Sequence, residues 1–197
     1  MEHIGSIDPN QFVHVRMVLG MVVGLAMARV LSGLAKFAQH PGRLKAYGVH
    51  LLWALYMLVA LIHFWWWEFA LRRLAAWHFG SFAFVVGYGA VLYLLCAILF
   101  PDDIAEYDGF RGYFLSRRRW FFGILGSVLV LDVFDTWLKG TDYLMGQGLE
   151  YGVRTVVGIA LCVVAARVES HRFHLGFVLL SLASQAWWIF SLYKVLA

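Results

Sequence analysis

Asp132 and Asp135 stand in an otherwise apolar stretch, SVLVLDVFDTWLKG, that runs from Ser127 to Gly140. Three residues apart, they share one helix face. A carboxylate at the centre of a membrane helix costs about 2.5–3.5 kcal/mol on the insertion scale. The pair therefore calls for cationic partners, a proton or water. Such a face suits passage of a cation or proton, or ion pairing that holds helices in register.

Other polar residues fall at similar depth. Arg16 and Arg154 are the candidate cationic partners, with His14, His63, Glu68 and His78 close by. These residues come from five apolar segments, yet all gather on one side of the membrane. The ion-pair reading joins Asp132 or Asp135 to Arg16 or Arg154. The permeation reading puts the same residues, with His63 and Glu68, around a water-filled vestibule. The other half is poorer. Arg29 is its one deep charge, about 20 Å from Arg16 along the helix, and needs an acceptor such as a carbonyl, Gln185 or Ser32.

A metal site is a weaker expectation. His14, Met17 and Met21 recur at i, i+3 and i+7, and with His63 or Asp135 make a transition-metal donor set. His63 and His78 are a cross-helix pair for metal or haem. His50 and His63 point about 140° apart around their helix. CxxCH, HExxH, P-loop and GxSxG motifs are absent. No cofactor is therefore predicted, and no motif indicates an enzyme.

The elements that position these residues follow from composition. The chain has 197 residues, 62% hydrophobic and 14% charged, too little charge to cover a soluble domain of this size. Apolar runs recur along its length. They predict an all-α membrane protein: six transmembrane helices in one bundle, at about 12–36, 47–70, 76–100, 119–138, 151–168 and 174–195. The whole chain, 1–197, reads as one transmembrane domain. The acidic N-terminus, with Glu2 and Asp8, lacks the basic region of a secretory signal, so the first segment is expected to be retained. Cys96 and Cys162 read as buried thiols at different depths.

Six spans place both termini on one side. Lys36, Arg43, Lys45, Arg111, Arg117, Arg118, Arg119, Arg167 and Arg172 collect at the three connecting loops and nearby helix ends; at the terminal-side ends the count is four, Arg72, Arg73, Lys139 and Lys194. The positive-inside rule then puts loops 37–46, 101–118 and 169–173 in the cytoplasm and both termini outside, as in a bacterial-type inner membrane. Arg111, Arg117, Arg118 and Arg119 are expected at lipid headgroups, in a loop along the interface. The net charge of +4 is assigned to that surface rather than to nucleic acid.

Gly20, Gly24, Ala28 and Ser32 form a small-residue stripe for close helix packing, as do Gly158, Cys162 and Ala166. The first stripe suits neighbours within the chain or a homo-oligomer; the aromatic content of 17% and a mass almost wholly in the bilayer suit a larger membrane complex. "VVG" at 22–24, 85–87 and 156–158 hints at three helical hairpins. The leading expectation is a channel or transporter for a cation or proton, centred on the Asp pair. The alternatives are a non-catalytic subunit of a larger complex and a metal- or haem-binding redox protein.

Overall fold

The computed structural model describes residues 9–40, 42, 44–74 and 77–193. Arg43, Lys194, Glu2 and Asp8, used in the charge arguments, lie outside the described residues. The elements are α1 (Pro9–Gln39), α2 (Gly48–Trp67) continued by a 3-10 helix (Glu68–Arg73), α3 (Phe79–Ala97), α4 (Gly109–Leu138), a short α5 (Thr141–Gly146), α6 (Gly148–Ala165) and α7 (His171–Tyr193). Six of the helices, all but α5, are long and apolar enough to cross a membrane. The chain is an all-α, six-helix membrane protein. Six crossings return both ends to one face, here the terminal face; the other is the loop face.

The largest departure from the predicted limits is in α4. It begins at Gly109, where residues 101–118 were expected to form an interfacial loop. Thirty residues give about 45 Å, longer than the ~30 Å hydrocarbon core. The added turns carry the arginines on one side and bury Phe110, Tyr113 and Phe114, at i, i+3 and i+4, on the other. Gly109 takes φ +72°, and the next N–H, that of Phe110, donates to Lys45 O at 3.2 Å. The other ends shift by a few residues. The segment expected at 47–70 divides at Trp67, and the expected loop after Lys139 holds α5.

Helix α1 packs on α3 and α2, α3 on α4, α4 on α6, and α2 on α7, whereas the consecutive α6 and α7 lie apart along most of their backbones and meet through side chains near the terminal face. The main contacts thus run between successive hairpins as much as within them. The three VVG segments differ in burial: Val23 and Val85 are buried, while Val156 and Val157 are exposed. Trp53 lies at the centre, edge-on to Tyr56, Phe121, Phe122 and Phe177 at 5.3–5.5 Å.

Most of the α1 stripe is not packed within the chain. Gly24, Ala28 and Ser32 are exposed, and Gly20 alone meets a neighbour, the Trp65 ring. The close approach on α1 is one residue beyond the stripe, at Gly33, where the Phe100 ring fills the space a Cβ would take. The α6 stripe does pack. Cys162 lies against Gly126, and a Cβ on Gly158 would come within 2.9 Å of Leu129. Gly158→Leu is expected to cost ~1–3 kcal/mol through overpacking, read as a lower melting temperature in detergent.

At the loop face, the three carbonyls that follow α3 accept from three other helices. Arg29 of α1 donates to Phe100 O at 3.0 Å, His50 of α2 donates through Nε2 to Leu99 O at 2.6 Å, and Tyr113 of α4 donates to Ile98 O at 2.7 Å. These three carbonyls, which lipid would leave unsatisfied, thus find donors. Arg29 also donates to Asp102 Oδ1 at 2.6 Å and holds that exposed carboxyl below its ordinary range. Gln185 is therefore not the Arg29 partner. Of the arginines expected at headgroups, Arg117 donates to Tyr107 and Arg118 pairs with Glu169 at 2.6 Å, while Arg111 and Arg119 are exposed.

Candidate functional site

The two aspartates part company in the structure. Asp132 is half-buried and lines a cavity; Asp135, one turn closer to the terminal face, is fully buried beside Lys139 and Glu68. The separation follows from helix geometry. Residues three apart differ by about 60° around the axis, enough for one to face α6 and the other to face the end of α2.

Lys139 ends α4, and the next residue, Gly140, takes φ +124°. The lysine side chain does not reach the surface. It turns back to Asp135 at i, i+4 and across to Glu68 Oε1 at 3.0 Å, with 4% of the residue exposed. Glu68 arrives there because the chain tightens into a 3-10 helix after Trp67, which turns Glu68 and Leu71 inward and leaves Arg72 and Arg73 outside. The Trp67 ring lies 5.4 Å from Lys139 Nζ.

The expected ion pairs are therefore corrected: the cationic partner of Asp135 is Lys139. Arg16 stacks instead on Phe69 at 3.8 Å and on Trp65 at 5.0 Å. Aromatic faces hold its charge, as cation–π contacts do in a dry setting. Arg154 lies over Trp188 at 4.5 Å and forms no ion pair with either aspartate. Lys139, read from its position as a surface residue, is the functional candidate that sequence reasoning missed. Its signal was the Asp135–Lys139 spacing of four.

The cavity has a volume of about 390 Å³ and lies among α2, α3, α4, α6 and α7. Its lining is polar toward the terminal face and apolar toward the loop face. Asp132, Arg154 and Gln185 form the first part; Leu125, Leu161 and Phe177 belong to the second. Tyr151 donates to Asp132 Oδ2 at 2.8 Å and lies 3.2 Å from the Thr136 hydroxyl, so the carboxylate has a fixed orientation. Gln185 Nε2 donates to His63 Nδ1 at 2.9 Å. At the mouth, Trp187 donates to Glu150 at 2.9 Å and joins α7 to α6. Beside the cavity, burial pushes the Tyr143 hydroxyl up to about 12 against the lowering pull of Arg73, so it stays protonated.

The metal expectation loses its donor set. His14 is exposed, and His78 sits at the N-terminus of α3, where its N–H and C=O both meet Ser81 Oγ. His63 is engaged by Gln185, and His50 serves the α3 cap. Among the described residues, no three His, Cys, Asp or Glu side chains gather as a metal ion requires.

No protein-family model matches this chain, and no curated protein or solved structure matches it at a significant level.

Proposed function

We propose that this is a transporter-like membrane protein whose cargo is a small amphiphilic cation bound in the cavity. The observation that carries the reading is Asp132: a hydrogen-bonded carboxylate at the polar end of a cavity whose other end is apolar. Tyr56, Tyr88, Tyr151, Trp67 and Trp188 share the lining, and aromatic faces favour organic cations. A bare metal cation or a proton would leave the apolar half of the cavity without a partner. The sparse backbone contact between α6 and α7 would allow a lateral way in once the Trp187–Glu150 bond parts. The charge distribution at the loops supports an orientation with the cavity mouth outward, as in a bacterial-type inner membrane.

The test uses benzyltrimethylammonium and its neutral isostere, neopentylbenzene, with the protein in nanodiscs. Trp67 and Trp188 report occupancy by fluorescence. The cation should bind at least about tenfold more tightly than the isostere, and Asp132→Asn should abolish that difference while the far-UV spectrum stays unchanged. Equal binding of the two probes, or a preference that survives Asp132→Asn, would sink the proposal. Flux of the cation in proteoliposomes then separates carriage from binding.

A second reading, membership in a larger assembly, draws on the exposed Gly24, Ala28 and Ser32 of α1. A chain that is monomeric by native mass spectrometry, extracted gently from its own membrane, would remove it.

A further inference from the structure

Glu68, Asp135 and Lys139 bring two acids and one base into a space closed to solvent, with 1%, 0% and 4% of each residue exposed. Lys139 Nζ donates to Glu68 Oε1 and to Asp135 Oδ2. The other oxygen of each acid, Glu68 Oε2 and Asp135 Oδ1, is buried and meets no donor. The two carboxyl groups also lie within hydrogen-bonding reach of each other.

With both acids ionised, the triad would carry one excess negative charge and two bare buried acceptors. Each condition is costly on its own: an unpaired buried polar atom costs about 1–3 kcal/mol, and an unpaired buried charge costs more. The surroundings offer no compensation in contact. Tyr88 of α3 and Tyr143 of α5 lie near the triad with their hydroxyl groups, and Asp132 of α4, which accepts from Tyr151, adds a further negative charge. The positive groups nearby are engaged elsewhere. Arg73 of the 3-10 helix lies on Tyr143 and Arg154 of α6 on Trp188; His63 of α2 accepts from Gln185 at Nδ1 and so brings no charge of its own.

A single proton removes both problems. It cancels the excess charge, and it gives the two acids an O–H to share between them. We propose that the triad is a proton-binding site that holds one proton between Glu68 and Asp135 at neutral pH, as an acid–carboxylate pair on one ammonium. The proton comes from water, and no other bond forms or breaks. Binding of an organic cation in the cavity is not required, so this inference stands or falls separately from the proposed cargo.

Infrared spectroscopy of the full chain in lipid vesicles at neutral pH reads the proton directly. The wild type should show a protonated-carboxyl C=O band above amide I. Glu68→Gln and Asp135→Asn should each lose it, and Asp132→Asn should keep it. Should the first two variants fail to fold, Asp132→Asn grown with 13C-carboxyl glutamate or aspartate answers in their place. The band should move down with one label or both, and the other described glutamates, Glu106, Glu150 and Glu169, are exposed. Absence of the band in the wild type would overturn the proposal. So would its loss in Asp132→Asn alone, or its survival in both triad variants.

Discussion

Lys139→Met is expected to destabilise the protein by ~3–5 kcal/mol, the range for removing one partner of a buried ion pair. The methionine fills similar volume, so the loss reports charge rather than packing. Two acids then face each other without an ammonium, and one proton neutralises only half of them. Adding Asp135→Asn should restore much of the loss, because the remaining Glu68 carboxyl can be held neutral with an amide beside it. Unfolding in mixed micelles with rising SDS, followed by far-UV circular dichroism, gives both values. A cost below about 1 kcal/mol for Lys139→Met would mean that water reaches the triad and screens it as it screens a surface pair.

Phe100→Ala is the second large effect, at ~3–5 kcal/mol. Phe100 is 2% exposed, fits against Gly33, and presents the carbonyl that Arg29 caps. Its removal opens a hole between α1 and the end of α3 and loosens the cap. Gly33→Leu attacks the same joint from the other side by overpacking it, at ~1–3 kcal/mol. The two changes share one space, so the double variant should be more stable than the sum of the single effects predicts. Strict additivity would show that the ring does not rest on the glycine.

The six spans were legible in the sequence because apolar length is a strong signal in a chain with so few charges. The start of α4 was hidden by the same signal. Arg111, Arg117, Arg118 and Arg119 lower the local hydropathy, and the helical spacing of Phe110, Tyr113 and Phe114 is visible only when period is weighed apart from composition. At the site, Asp132 and Asp135 were conspicuous as charges in lipid, and their depth brought His63, Glu68 and Arg154 into view. Their division between cavity and triad was not legible, since one residue's facing depends on where α6 and the 3-10 helix lie. Arg16 shows the opposite limit. Formal charge suggested an acidic partner, but Trp65 and Phe69 on the neighbouring helix end satisfy it with aromatic faces. The stripe of small residues on α1 was real as a pattern, yet the contact is made by Gly33, outside its four-residue interval.

The three-way cap on the end of α3 bears on the order in which this protein can be assembled during synthesis. Its donors lie at positions 29, 50 and 113, and the carbonyls they serve lie between the second and third of these. A nascent chain that has inserted three helices holds Arg29 and His50 ready, but Ile98 O still waits for a hydroxyl that has not been made. Emergence of the first turns of α4 supplies Tyr113 and closes the joint. Helices α6 and α7 then attach to a completed base at separate places, α6 on α4 and α7 on α2. The cavity is therefore the last part of the molecule to acquire walls, and a chain stopped after α4 would have every donor of the cap and no binding site.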